Sequence, residues 1–137
     1  MAKFKLNFDG GAQPNPGNCA GAFVLYKNDE LVSSGGKYVE YGTNNQGEYT
    51  GLIIGLEKCS EMIDKGDQLI IEGDSMLIIK QISGEWKVKN EKLFELYLVA
   101  KNFLTLIKCV PTFKHVLRKY NKEADFLSNL VINKKNF

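Results

Sequence analysis

The spacing of apolar residues changes partway along the chain, and this change most narrows the folds open to it. Three segments between Lys3 and Val39 carry apolar residues at strand spacing, whereas from Asn45 they recur every three or four residues. Alternation predicts β-strands, and a period near 3.6 predicts an amphipathic helix. The chain is therefore expected to begin as a sheet and to continue with elements that include helices packed on it.

The first third of the chain is predicted to form three strands. The first covers residues 3–9, with Phe4, Leu6 and Phe8 on one face and Asn7 on the polar face with two lysines. Residues 10–21 are rich in glycine, proline and asparagine and are predicted to be a loop. Strands over residues 22–26 and 31–39 follow with a short link, which favours an antiparallel meander.

The remaining elements alternate between helix and strand. A helix is predicted over residues 45–63, capped by Asn44 or Asn45 and with Cys59 on its apolar face. A short apolar strand at residues 69–71 suits a position beside the first strand. Helices at 75–82, 91–107 and 121–131 and a strand at 111–116 complete the order β-β-β-α-β-α-α-β-α. This order predicts an α/β fold with a five-stranded mixed sheet and helices on its faces.

Composition sets broad limits on the class of protein. A chain of 137 residues suits one domain, expected over residues 1–137. A net charge of +2 does not by itself indicate a nucleic-acid-binding protein. No run is apolar enough to cross a bilayer, and three cysteines without metal-ligand spacing fit a reducing compartment. We expect a soluble, intracellular, cytoplasmic protein without a membrane partner, and a monomer.

Four carboxylates lie at the predicted ends of elements: Asp9, Glu48, Asp74 and Asp125. Two end apolar strands and two stand at the start of helices. If the fold gathers them, they form an all-oxygen site for hard divalent cations, which supports phosphodiester hydrolysis with two metal ions. Each carboxylate alone also has a structural interpretation, as a turn former after a strand or as a favourable charge in a first helical turn.

The residues around these carboxylates resemble ribonuclease H, type I. The resemblance rests on four motifs in the family's order: Asp9-Gly10-Gly11 with Asn15-Pro16-Gly17, Thr43-Asn44-Asn45-x-x-Glu48, Gly73-Asp74-Ser75, and Asn121-x-x-Ala124-Asp125. It implies the ribonuclease H-like fold, with the first three strands antiparallel and the last two parallel to the first. It also implies an endoribonuclease that hydrolyses the RNA strand of RNA–DNA hybrids, leaving 5′-phosphate and 3′-hydroxyl ends. The cofactor would be Mg²⁺ or Mn²⁺, with two ions held by the four carboxylates when substrate is bound.

The same resemblance assigns substrate contacts outside the carboxylates. The expected set is Gly10, Gly11, Asn15, Thr43, Asn44, Asn45 and Trp86. The three asparagines would meet RNA 2′-hydroxyls in the minor groove, since amides both donate and accept. The glycines would let the RNA strand approach closely, Thr43 would help to hold a DNA phosphate, and Trp86 would pack near the DNA strand. Core packing is the alternative role for Trp86.

Two departures from the common family pattern stand out. The link at residues 84–90 is too short for the lysine- and tryptophan-rich basic protrusion, as in the compact archaeal and bacterial subgroup; Lys87 and Lys89 are candidates to replace it. The loop before Asp125 lacks the mobile histidine of many relatives. We therefore expect Arg118 to act in phosphate binding or product release, because guanidinium binds phosphate well, and His115 to be structural.

Two other functions stay open from the sequence. One is a nuclease of the same fold that acts on RNA duplexes or RNA–DNA junctions. The other is a non-catalytic nucleic-acid-binding module. The presence of all four carboxylates favours a nuclease over the binding module.

Overall fold

A computed structural model describes residues 1–135 and contains a five-stranded mixed sheet. The strands are β1 (Lys3–Gln13), β2 (Gly17–Lys27), β3 (Glu30–Gly42), β4 (Gln68–Gly73) and β5 (Thr112–His115). The helices are α1 (Asn44–Met62), α2 (Met76–Ile82), α3 (Glu91–Leu106) and α4 (Lys122–Lys135), and a 3₁₀ turn at Arg118–Tyr120 precedes α4.

The strands lie in the order β3-β2-β1-β4-β5. The first three are antiparallel neighbours, β4 runs parallel to β1, and β5 runs parallel to β4. The predicted element order and the mixed sheet are confirmed.

The segment predicted to be a loop, residues 10–21, is mostly strand. β1 continues to Gln13 and β2 begins at Gly17, so that only residues 14–16 link them. The glycines there allow α1 to approach the sheet. A Cβ built on Gly21 would lie 2.1 Å from the backbone nitrogen of Gly51 in α1. Local composition misled the prediction because glycine in a strand also marks a close approach of another backbone.

One face of the sheet packs on α1 and, at β4 and β5, on α2, while α3 packs on α1. Leu6 and Phe8 of β1 lie fully buried in this core, as does Cys59, which confirms its predicted apolar position. The hydroxyl of Tyr49 donates to Gln81 Oε1 at 2.7 Å, so that both buried polar groups are paired. This layer forms the main hydrophobic core of the described residues.

The other face of the sheet is covered by α4, and this corrects the expectation for Asn7. Asn7 does point away from the apolar core, but it is only 5% exposed because α4 lies over the end of β1. Its Nδ2 donates to Asn121 Oδ1 at 3.0 Å, and Asn121 Nδ2 donates to the Phe8 carbonyl at 2.9 Å. Alternation predicts which face a side chain takes, not what covers that face.

The start of α1 also differs from the prediction. The N-cap is Thr43, one residue before the predicted candidates. Its side chain accepts from the backbone nitrogen of Gln46 at 3.2 Å, and Gln46 Oε1 accepts from the backbone nitrogen of Thr43 at 2.8 Å. This reciprocal capping box satisfies two helix-terminal donors. Within residues 1–135, no helix combines the length and apolar character needed to span a bilayer.

Candidate active site

Parallel pairing brings the first two carboxylates together. Phe8 of β1 is paired with Gly73 of β4, so Asp9 and Asp74 follow at the same edge of the sheet. Glu48 joins them from the second turn of α1. One oxygen from each of these three side chains lies within 4.8 Å of the others.

Glu48 reaches the cluster because α1 lies directly on β1. A Cβ built on Gly10 would lie 2.1 Å from the carbonyl carbon of Gly47 and 2.5 Å from the backbone nitrogen of Glu48. No side chain other than hydrogen fits at Gly10 without moving the helix. Gly10 therefore sets the distance between Asp9 and Glu48.

The fourth carboxylate, Asp125, completes the wall of the same cavity from α4. This cavity has a volume of about 470 Å³, and Gly10, Gly11 and Arg118 also line it. Asp125 Oδ1 accepts from Arg118 Nη2 at 3.3 Å. The Arg118 side chain is 75% exposed, so its guanidinium is accessible to an anion in the cavity.

Burial and neighbouring negative charge raise the proton affinity of Asp9, Glu48 and Asp74. Burial, followed by the charge of Asp74, raises the pKa of Asp9 to about 8, against the opposing effect of the Gly10 amide, which donates to Asp9 Oδ1 at 2.8 Å. Burial, followed by the charges of Asp9 and Asp74, raises the pKa of Glu48 well above 4.5. Burial also raises the pKa of Asp74. Without a cation, the cluster is therefore expected to hold protons near neutral pH.

The donor set fits hard divalent cations. All of its ligand atoms are carboxylate oxygens, which Mg²⁺ and Mn²⁺ favour. Glu48 Oε1 is buried and has no hydrogen-bond partner among the described residues. A buried anionic oxygen without a partner is costly, and a cation is a natural partner for it.

A second cavity shares Asn44 with the first and is lined by four predicted substrate contacts: Asn15, Thr43, Asn44 and Asn45. Asn44 ties this region to the hairpin between β1 and β2. Its Oδ1 accepts from the Ala12 backbone nitrogen at 2.8 Å, and its backbone nitrogen donates to Asn15 Oδ1 at 3.0 Å. The fold thus brings these four residues together beside the carboxylates.

The remaining predicted contacts occupy different settings. Gly11 is open, since the nearest atom to a Cβ built there is Asn44 Oδ1 at 3.5 Å, whereas the space beside Gly10 is taken by α1. Trp86 is 45% exposed and lines a separate surface cavity with Phe94 and Tyr97. The structure therefore places Trp86 outside the buried core and away from the carboxylate cavity.

His115 also lies near the site, behind Asp74. Its Nε2 is 3.2 Å from the Asp74 carbonyl oxygen, an ordinary hydrogen-bonding distance. The imidazole therefore holds the end of β4 through the backbone rather than through the carboxylate.

Sequence reasoning missed the polar residues that hold Asp125. Asn7 and Asn121 connect the beginning of α4 to β1, and Asn129 donates to Asp125 Oδ1 at 3.2 Å. Asn121 opens the motif that ends in Asp125, but its contact with β1 was not predicted. Asn129 lies one helical turn after Asp125, and that spacing was the only available signal.

The sheet order and the carboxylates that directly follow the parallel pairing of β1 with β4 define the class of ribonuclease H-like α/β proteins. The family described as reverse transcriptase-like matches residues 7–131. The chain is also 36% identical over 123 residues to ribonuclease HI of Halobacterium salinarum, covering 89% of this chain and 60% of that protein. It spans about a third of the length of its mycobacterial relatives, 35%.

Solved structures agree with the sequence comparison. The crystal structure of RNase H1 from Halobacterium salinarum is 33% identical, with a TM-score of 0.88 and coverage of 96% of this chain and 98% of that one. LC11-RNase H1, isolated from compost by a metagenomic approach and solved with an RNA/DNA hybrid, is 28% identical, with a TM-score of 0.89 and coverage of 98% and 99%.

The chain belongs to the ribonuclease H family, and its structural neighbours include bacterial and archaeal members without a basic protrusion. The short link between α2 and α3, residues 83–90, agrees with that grouping.

Proposed function

We propose that this chain is a metal-dependent endoribonuclease that hydrolyses the RNA strand of RNA–DNA hybrids. The observation that carries the proposal is the cluster of Asp9, Glu48 and Asp74 oxygens within 4.8 Å, with Asp125 on the same cavity wall. The family membership and the hybrid bound to LC11-RNase H1 support the choice of substrate. Products would carry 5′-phosphate and 3′-hydroxyl ends.

The four carboxylates would hold two Mg²⁺ or Mn²⁺ ions. When bound, these ions would activate the attacking water and stabilise the leaving 3′-oxygen. Asp9 would act as a ligand together with Glu48 and Asp74, because one oxygen of each side chain lies within 4.8 Å of the others. The raised pKa of Asp9 means that cations and protons compete for the same oxygens, so the affinity for metal should fall as the pH falls.

The other residues of the site position the substrate. The amides of Asn15, Asn44 and Asn45 would exchange hydrogen bonds with 2′-hydroxyls, which DNA lacks. Gly11 leaves room for the RNA backbone, and Arg118 would bind the phosphate near the cleaved bond. Thr43 and Trp86 would contact the DNA strand from the side of α1 and from the α2–α3 link.

We also propose that residues 1–137 act as one domain and as a monomer inside the cell. All four carboxylates come from a single copy of the chain. The three cysteines are free thiols, which suits a reducing compartment.

A cleavage assay tests the activity. The protein is incubated with end-labelled RNA–DNA hybrid, duplex RNA or duplex DNA, in the presence of Mg²⁺, Mn²⁺ or EDTA. We expect metal-dependent cleavage of the RNA strand in the hybrid alone. Preferred cleavage of duplex RNA would contradict the RNA–DNA hybrid as the substrate. Absence of cleavage of all three substrates would overturn the proposed function.

Two carboxylate variants test the residues. Asp9→Asn should lower cleavage by at least about 10³-fold while the protein stays folded, because several kcal/mol of metal-derived stabilisation is lost. Glu57→Gln is the matched control, since Glu57 is an exposed carboxylate on α1, the helix that carries Glu48. Full activity in Asp9→Asn would contradict the metal site.

A further inference from the structure

Asp125 accepts hydrogen bonds from the side chains of Asn129 and Arg118, whereas Asp9 accepts one from the backbone amide of Gly10. Asn129, one turn later in α4, donates from Nδ2 to Asp125 Oδ1 at 3.2 Å and to the Asp125 carbonyl at 3.0 Å. Since an amide nitrogen carries two hydrogens, both bonds can form at once. Arg118 approaches the same Oδ1 at 3.3 Å.

The orientation of the Asn129 amide is set by a residue from the sheet. Gln13, the last residue of β1, donates from Nε2 to Asn129 Oδ1 at 3.2 Å. With its oxygen engaged by Gln13, the Asn129 amide presents its nitrogen to Asp125. A chain of hydrogen bonds thus runs from the β1–β2 hairpin through Asn129 to the fourth carboxylate.

We propose that Asn129 is a positioning residue that holds Asp125 for cation binding, and that Gln13 fixes the orientation of the Asn129 amide. Asp125 lines the cavity from α4, which covers the opposite face of the sheet from α1. Glu48, in contrast, is held by the close packing of the α1 backbone on β1. An aspartate side chain free to rotate would meet the cations in only part of its conformations. The two donors on Oδ1 restrict that rotation, as outer-sphere partners of metal ligands do.

This inference deepens the proposed function and rests on its assignment of Asp125 as a cation ligand. The first measurement is Mn²⁺ binding to the free protein, followed by electron paramagnetic resonance without nucleic acid. Asn129→Ala should bind Mn²⁺ about 10- to 100-fold more weakly than the unchanged protein, the range found when outer-sphere partners are removed. The second measurement is steady-state cleavage of hybrid, where kcat should fall and KM should change little.

Asn133→Ala is the matched control, because Asn133 is an exposed asparagine one turn further along the same helix. It should behave like the unchanged protein in both measurements. Gln13→Ala should weaken Mn²⁺ binding less than Asn129→Ala does. The double variant, Gln13→Ala with Asn129→Ala, should bind Mn²⁺ as strongly as Asn129→Ala alone, because Gln13 acts through Asn129.

Equal Mn²⁺ affinity in Asn129→Ala and Asn133→Ala would overturn the inference. Urea unfolding in EDTA checks that each variant is folded. If Asn129→Ala is not folded, Gln13→Ala is the deciding variant, because Gln13 is exposed at a strand end. An Mn²⁺ affinity of Gln13→Ala equal to that of the unchanged protein would then overturn the inference. If the unchanged protein cleaves no hybrid but Asn129→Ala still binds Mn²⁺ more weakly than it does, the positioning role of Asn129 is supported and only the proposed function is contradicted.

Discussion

Two helices meet the same end of the sheet from opposite faces, and they hold their carboxylates by different means. On the α1 face, backbone lies on backbone, with glycines at Gly10, Gly21 and Gly47 leaving no space for a Cβ. On the α4 face, asparagine amides fill the contact, through Asn7 and Asn121. Glu48 is therefore placed by steric exclusion and Asp125 by hydrogen bonds.

The difference matters for how each side tolerates change. Close backbone packing has no adjustable part, so even one added methyl group must move the helix. A hydrogen-bonded contact can shift by small amounts, but it loses stability when one partner is removed and the other stays buried. We therefore expect substitutions on the α1 side to lower the stability of the fold most strongly. On the α4 side, substitutions should first disturb the position of Asp125.

The largest effect should come from adding a methyl group on the α1 side. Gly10→Ala should lower the free energy of unfolding by about 3 kcal/mol or more, since its Cβ would lie 2.1 Å from Gly47 backbone atoms. Gly11→Ala is the neighbouring control, because its nearest contact is a side-chain oxygen at 3.5 Å. Urea unfolding measures both. Equal losses of unfolding free energy in Gly10→Ala and Gly11→Ala would contradict the claim that close backbone packing holds α1 on the sheet.

A smaller loss should follow from removing an amide on the α4 side. Asn121 is 1% exposed, and Asn121→Ala removes both its hydrogen bond to the Phe8 carbonyl and the acceptor of one Asn7 amide hydrogen. We expect a loss of about 2 kcal/mol in the free energy of unfolding. Asn102→Ala, at an exposed position of α3, should change it by less than about 0.5 kcal/mol. Indistinguishable midpoints for the two variants would show that the amides do not support the α4 contact.

The carboxylate cluster between the two faces should make the metal-free protein less stable as pH rises. The unfolded chain releases the Asp9 proton near pH 3.8, whereas the folded protein keeps it until pH is about 8. Between these values the unfolded state gains stability relative to the folded state by roughly 1.4 kcal/mol per pH unit for this one proton. Above about pH 8 the contribution levels off.

Urea unfolding in EDTA from pH 4 to pH 9 measures this slope. Asp9→Asn should flatten the profile and raise the stability at neutral pH, because the clustered charge is gone. Saturating Mg²⁺ should also flatten it. A profile that rises through this range in the unchanged protein would contradict the assigned direction.

The smallest expected effect is on the cleavage rate and comes from Arg118, which is exposed beside the start of α4. Arg118→Ala should slow steady-state cleavage by a few-fold, since an exposed ion pair contributes at most about 1 kcal/mol. Single-turnover cleavage should persist if Arg118 acts in product release. Comparison of the two rates tests the role, and an unchanged steady-state rate would remove Arg118 from the mechanism.

The order of elements, the mixed sheet and the all-oxygen character of the site could be predicted from the sequence. The predicted loop at residues 10–21 was wrong, because the same glycines that break local structure also admit a close helix. Asn7 was predicted to lie on the polar face, yet it is buried under α4. Both errors came from interpreting a local sequence pattern. Both depend on what another part of the chain places on top of the segment.

The sequence alone predicted the four carboxylates as the candidate site, because strand ends, helix starts and their carboxylates are encoded within a few residues of one another. Only the tertiary structure decided that Gly10 supports α1 and that Gln13 and Asn129 hold Asp125. Gln13 and Asn129 are 116 positions apart in sequence. Contacts over such separations follow from sheet register and helix placement, which the packing of the whole chain sets and no local pattern records.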